Sequence, residues 1–277
     1  MGGQKAPRSL FDRLSSAGGL ATPVSMLAIF FSLTLVSTIT YYYAINRVDT
    51  KKEGLKMIAA EEKMLDLEEA ISAAAWSPGS ARMTVFSDYG GELHVEPRGN
   101  HLEINVAMGE QSQVLFNSST GLVLYQLPSV SLNRGGSWLR GDRRTIVNRS
   151  SAYQAQVRIE LGGEGQELRI GYRPLVSSST GGLAAGRRVN NIRIYVINMN
   201  GSEALSLGGE LNLGALCSGV SSRVHIHNLS SAVTVSITAT LDGSEGTVEV
   251  PIAVGPSGST IRIEVLVSRI ELRKVSI

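Results

Sequence analysis

Between Leu14 and Asn46 the chain carries no charged residue, and no other feature constrains its fold as strongly. The centre of this run, Pro23 to Ile45, is 23 residues long. At about 1.5 Å per residue a helix of that length covers roughly 34 Å, enough for a bilayer core of about 30 Å. The sequence therefore predicts a membrane-inserted helix near its N-terminal end. Ser25, Ser32, Thr34, Ser37, Thr38 and Thr40 dilute the hydrophobicity, but a helix bonds such hydroxyls back to its own carbonyls. Small side chains also allow close helix approach, so Ser25, Ala28, Ser32 and Ser37, at spacings of three, four and five, mark a contact strip.

The flanks give the orientation. Lys5, Arg8 and Arg13 precede the run against the single acid Asp12, which by the positive-inside bias keeps the N-terminus cytoplasmic. Tyr41, Tyr42 and Tyr43 form an interfacial belt, and Arg47, Asp49, Lys51, Lys52 and Glu53 lie beyond it. A secretory signal carries its small-residue cleavage site behind the apolar run. Here Ala17, Gly18 and Gly19 stand in front of it, so cleavage there leaves the apolar helix on the mature chain.

The helical pattern continues past the span. Met57, Met64 and Ile71 recur every seven residues, with Ala60, Leu67 and Ala74 three further on each time. This is an a/d seam, which predicts helix–helix contact outside the membrane zone. Gly54 is the weak point, at about 1 kcal/mol against Ala. Ser77-Pro78-Gly79 stops the helix near Trp76.

From Ala81 the period changes to two. Met83–Phe86, Glu92–Glu96, His101–Val106, Val114–Phe116, Leu122–Tyr125, Tyr153–Leu161 and Glu167–Tyr172 alternate in short runs. Ile192–Ile197, Arg223–His227, Ala232–Ala239, Thr247–Ile252 and Thr260–Ile270 continue the series. With 30 glycines and only 5% aromatic residues, this reads as an all-β, sandwich-like head over residues 82–277. The low-complexity Ser177–Gly182 leaves one sandwich or two open, with a split near 177–190. The fold class is thus α+β by architecture, with three segments: a leader over 1–19, a helix over 20–76 and the head.

A net charge of +2 with 18% charged residues argues against nucleic-acid binding. His-Glu-x-x-His, Cys-x-x-Cys, Walker and Gly-x-Ser-x-Gly motifs are all missing from the sequence. No catalytic, metal or cofactor site is expected, and the chain reads as a non-enzyme. Cys217 is alone and reads as a buried thiol rather than an intermolecular bridge. His225 and His227 share one strand face without an evident third metal ligand. Arg134, Arg140, Arg143, Arg144 and Arg149 crowd around Trp138. They read as a solvated loop or as a cluster for carboxylates of a neighbouring subunit or an anionic glycan. Arg140-Gly141-Asp142 matches a cell-adhesion tripeptide, a short match that arises readily by chance. Asn117, Asn148, Asn200 and Asn228 head N-glycosylation sequons.

A basic leader, a Gly-Gly junction, a helix of some 54 residues over 23–76 and a C-terminal β-domain together resemble the type IV pilin superfamily. The likeness is to archaeal pilins and archaellin-like proteins. It covers the architecture of the whole chain, with motif-level support in residues 13–45. It implies cleavage by a prepilin-type peptidase after Gly19, leaving Leu20 as the new N-terminus. Ala17 and Gly18 stand where archaeal sites usually carry a base, and Val24 where the bacterial pattern has glutamate. The resemblance further implies membrane residence before assembly and an extracellular glycoprotein filament afterwards. Its partners would be identical or related subunits and the membrane assembly machinery. The alternative is a single-pass anchored binding or adhesion protein that does not polymerise.

Overall fold

In a computed structural model, residues 18–128, 135–148, 153–162, 165–231 and 233–276 are described. A long, apolar N-terminal helix, α1 (Gly18–Ala74), precedes a mostly β domain of two sheets. The chain divides into two units between Glu53 and Gly54, so the division falls at the glycine where the helix was expected to be weakest.

The strands follow in chain order. First come β1 (Ala81–Phe86), β2 (Glu92–Met108), β3 (Gln111–Pro128), β4 (Ser137–Arg140) and β5 (Val147–Asn148). Then come β6 (Ala155–Gly162), β7 (Gly165–Tyr172), β8 (Leu175–Ala184), β9 (Arg187–Asn198) and β10 (Leu205–Gly208). The last are β11 (Leu211–Leu229), β12 (Thr234–Leu241), β13 (Ser244–Pro251) and β14 (Ser259–Lys274). One sheet has the order β1-β11-β14-β9-β8-β5, and the other β13-β12-β2-β3-β7-β6-β4 with β10 on β2. Most pairings are antiparallel, but β14 lies parallel to β9 and β5 parallel to β8.

In the first unit, the large apolar side chains between Val24 and Tyr43 are 53–73% exposed. Ser32 Oγ donates to the Ile29 carbonyl at 2.9 Å, and Thr34 and Thr38 hydroxyls each bond a carbonyl four residues back at 2.8 Å. These three of the diluting hydroxyls are therefore satisfied within the helix. The stretch is long and apolar enough to cross a membrane, a description that a signal sequence also meets.

In the second unit the helix has the opposite environment. Met57, Ala60, Met64, Leu67, Ile71, Ala74 and Ala75 are buried in one cluster with Phe86, Tyr125, Ile170, Tyr172, Leu213, Cys217 and Leu272. These partners come from both sheets. The seam of Met57, Ala60, Met64, Leu67 and Ile71 is thus the core of its own head and is not open to neighbouring helices. An a/d repeat records that one helix face is apolar, whereas only the tertiary structure decides which surface covers it. The head accordingly starts at Gly54, and a boundary at residue 82 cuts through its core.

The 177–190 boundary is also absent. Ser177–Gly182 lies inside β8, which pairs with β9 as a hairpin. A second cluster, around Ile104, Val106, Ile194, Ile237 and Ile263, packs sheet on sheet without the helix. The long strands serve both clusters. In β14, Ile261, Ile263 and Val265 enter the second cluster while Ile270 and Leu272 enter the first. The alternation therefore changes sense along a strand whose register with β9 is unbroken to Arg269. Strand twist accumulates along the chain, so a face turned inward at one end is turned outward at the other.

The helix ends where Ser77-Pro78-Gly79 was expected to stop it. Ser80 Oγ donates to the Ala74 carbonyl at 3.0 Å, and Gly79 adopts φ +81°, a conformation open chiefly to glycine. The Gly79 and Cys217 amides bond the Cys217 and Ser80 carbonyls at 2.8 and 3.0 Å. Trp76 then packs edge-on against Tyr195, ring centroids 5.3 Å apart.

Candidate functional site

The arginine-rich segment is the most elaborate polar constellation among the described residues. Its members divide between two tasks. Arg140, at the end of β4, forms an ion pair with Glu68 of α1, whose side chain is 3% exposed. Ser72 Oγ donates to Glu68 Oε1 at 2.5 Å, and the Tyr172 hydroxyl donates to the Glu68 carbonyl at 3.4 Å. Burial, reinforced by the Glu68 charge, raises the Tyr172 pKa well above its ordinary value. The Arg140 guanidinium also lies over the Tyr153 ring, 5.4 Å from its centroid.

Asp142 faces a different partner. Arg173, fully buried, donates to Asp142 Oδ1 at 2.6 Å and to the carbonyls of Asp142, Arg144 and Tyr153 at 2.8–3.1 Å. Arg144 Nη2 donates to Asp142 Oδ2 at 2.7 Å. The Arg144 and Arg173 hydrogen bonds hold the Asp142 carboxyl far below the usual range. Gly141 stands between them at φ +78°, and a Cβ there would lie 2.4 Å from the Ala155 carbonyl oxygen. The Arg-Gly-Asp tripeptide is therefore a structural turn whose two charged side chains are both engaged inside the domain. Arg140 and Arg144 find carboxylates of their own chain, whereas Arg134 and Arg149 lie outside the described residues.

Arg143 remains exposed and has no ion-pair partner among the described residues. It borders a groove of about 320 Å³ with Trp138, Arg158, Arg169, Asn100 and Asp242. The Arg158 guanidinium sits over the Trp138 ring at 5.5 Å and pairs with Glu160 at 2.8 Å. Burial lowers its pKa. Arg169 donates to Asn100 Oδ1 at 2.6 Å and approaches Asp242 at 3.7 Å. Every cation here except Arg143 is matched by an acid, so the groove carries little surplus charge.

A larger groove of about 550 Å³ lies between β3 and the β11/β14 pair, lined by Phe116, Asn117, Asn200, Arg223, Val265 and Arg269, among others. Beside it Gln113 Nε2 meets His225 Nδ1 at 3.3 Å. Burial, with the neighbouring His227 and Arg223 charges, lowers the His225 pKa. His225 and His227 are on one strand face, as expected, but no group of three metal-ligating side chains exists among the described residues.

The four sequon asparagines are all exposed. Asn117 and Asn228 lie within strands, where Asn117 Nδ2 donates to Glu103 at 3.0 Å and Asn228 Oδ1 accepts from Thr260 at 2.8 Å. Asn148 ends β5, and Asn200 follows β9 in a turn. Gly18, Gly19 and Leu20 stand at the first turn of α1. Ser25, Ala28, Ser32 and Ser37 are exposed along it. Cys217 is buried, its thiol donating to the Ala75 carbonyl at 3.3 Å, so it is a core residue. The Glu68–Arg140 link escaped sequence reasoning because Glu68 looks like one of several surface acids. The clue was its position beside Leu67 on the apolar face. Comparison with protein-family models, with curated proteins and with solved structures found no match.

Proposed function

We propose that the chain is a structural subunit or minor component of a type IV pilus-like surface filament. Its apolar helix would sit in the membrane before assembly and among the helices of other subunits afterwards. The observation that carries this reading is the uncharged stretch from Val24 to Ile45, whose side chains have no cover of their own. Burying about 20 such side chains at roughly 1.5 kcal/mol each outweighs the ordering cost of docking one subunit. Ser25, Ala28, Ser32 and Ser37 give the strip for close approach. The exposed sequons suit a glycosylated surface protein. A filament subunit requires no catalytic constellation.

The second reading is a single-pass anchored binding protein, and one observation favours it. A seam at Met57–Ile71 open to neighbouring helices would separate the two readings, since an anchor has no use for an apolar face in solvent. That face is spent inside the head, so it serves an anchor equally well. Electron microscopy of the native protein tests the choice. Filaments whose diameter accommodates outward-facing heads support the subunit; dispersed single particles in detergent, under conditions that retain Leu20 as N-terminus, support the anchor.

A further inference from the structure

Beyond Cys217, β11 loses its neighbour. β1 pairs with it only from Leu211 to Leu216, while β14 pairs with it on the other side as far as Leu229. From Gly219 to Leu229 its outer backbone edge therefore has no strand partner among the described residues. Natural edges are usually blunted by proline, lysine or a bulge. This run has no proline or lysine, and its bulge, at Cys217/Gly219, lies at its start. Val224 and Ile226 are 40% and 64% exposed on one face of it. Arg223, His225 and His227 occupy the other face.

The other sheet ends in an edge of opposite charge. β13 pairs only with β12, and its Glu245, Thr247 and Glu249 are exposed on a single face. Neither Glu245, Glu249 nor Arg223 has an ion-pair partner among the described residues. Arg223 and His227 on one edge, and Glu245 and Glu249 on the other, are each four residues apart. Laid antiparallel, Arg223 falls opposite Glu249, His225 opposite Thr247 and His227 opposite Glu245. The antiparallel sense is the more stable per residue.

We infer that the β11 edge of one copy takes the β13 edge of a second copy as an added antiparallel strand, with Arg223 against Glu249 and His227 against Glu245. The two edges are different surfaces, so the contact is heterologous and repeats from copy to copy without closing on itself. The inference deepens the filament reading and rests on it for the side-by-side supply of copies. Backbone hydrogen bonds provide the attachment and the charge pattern selects the register.

Full-length His225→Cys/Thr247→Cys protein, which keeps Arg223, Glu249, His227 and Glu245, tests it under mild oxidation in membranes and in detergent. Residues directly opposite in an antiparallel pair are close enough for a disulfide. The expected result is a ladder of dimers and larger species on a non-reducing gel, with loss of most monomer. The wild type and each single variant should stay monomeric. A ladder equal to wild type overturns the inference, and so does a dimer from His225→Cys alone, which would mean β11 pairing with itself. Arg223→Cys/Glu249→Cys should link and Arg223→Cys/Glu245→Cys should not; the reverse overturns the antiparallel register. Filaments without a ladder refute the edge contact and spare the filament reading. A ladder in detergent from protein that forms no filaments does the opposite.

Discussion

Glu68 of the helix, whose carbonyl accepts from the Tyr172 hydroxyl, forms an ion pair with Arg140 of β4, 72 residues away in sequence. This contact fastens the C-terminal part of α1 to the sheet whose outer strand is β4. Its carboxylate is buried and its charges balance, and both properties make it sensitive to the loss of Arg140.

Arg140→Met should destabilise the head by about 3–5 kcal/mol, because it leaves the Glu68 carboxylate buried without a counter-charge. Glu68→Leu combined with Arg140→Met should recover most of that loss. Urea unfolding followed by tryptophan fluorescence reads both. Equal destabilisation by the single and double variants would show that packing, not charge pairing, sets the cost.

Leu67→Glu should unfold the head rather than merely block contact between subunits. The side chain is 0% exposed in the helix-containing cluster, and an unpaired carboxylate there costs several kcal/mol. Leu67→Ala should cost about 2–5 kcal/mol through the cavity it leaves. Normal thermal unfolding of Leu67→Glu protein would return this face to the surface.

A fragment starting at Gly54 should be compact with a near-ultraviolet circular dichroism signal, whereas one starting at Ala81 should bind hydrophobic dyes and lack that signal. The second fragment loses Met57, Met64, Leu67 and Ile71 from the first cluster. A cooperative unfolding transition in the shorter fragment would contradict the placement of the helix in the core.

Acid should weaken the head in two windows. The His225 pKa is depressed in the folded state, so the unfolded chain takes that proton first and stability falls as pH drops below about 6.5. The Asp142 pKa is depressed also. As an acid it contributes stability above about pH 3.9, and that contribution is lost as pH falls further towards its folded value. His225→Gln should flatten the first window and Asp142→Asn the second in urea midpoints measured against pH. An unchanged profile in either variant would remove that residue as the cause.

Native protein should begin at Leu20 by mass spectrometry, because Gly18 and Gly19 stand directly before the apolar helix. Retention of Met1 would favour the anchor, and a start beyond Tyr43 a freely secreted head.

The helix, its stop at Pro78 and most strands were legible because each rests on a local pattern: charge-free length, a turn sequence or an alternation. The joins were not. His101–Val106 and Glu92–Glu96 read as two strands but are one, since the irregularity between Glu96 and Asn100 interrupts the alternation without ending the pairing. β8 was missed because serine and glycine carry no apolar period, and its register comes from β9. The first twelve residues of β11 were missed for the same reason, Gly214, Ser218 and Gly219 obscuring Leu211, Leu213 and Ala215. The helix seam was read correctly as apolar and assigned to the wrong partner, because periodicity carries no information about what lies opposite. The roles of Arg140 and Asp142 depended on Glu68 and Arg173, contacts that no spacing rule connects.

The change of sense along β14 has a consequence for how the head melts. Val265 and Ile270 anchor different clusters on one uninterrupted strand, so neither half can slip by a residue without turning the other inside out. A deletion at Leu266 would leave one half correctly dressed and the other with its oily side to water. The two halves therefore share one fate, and heating should take them apart in a single step.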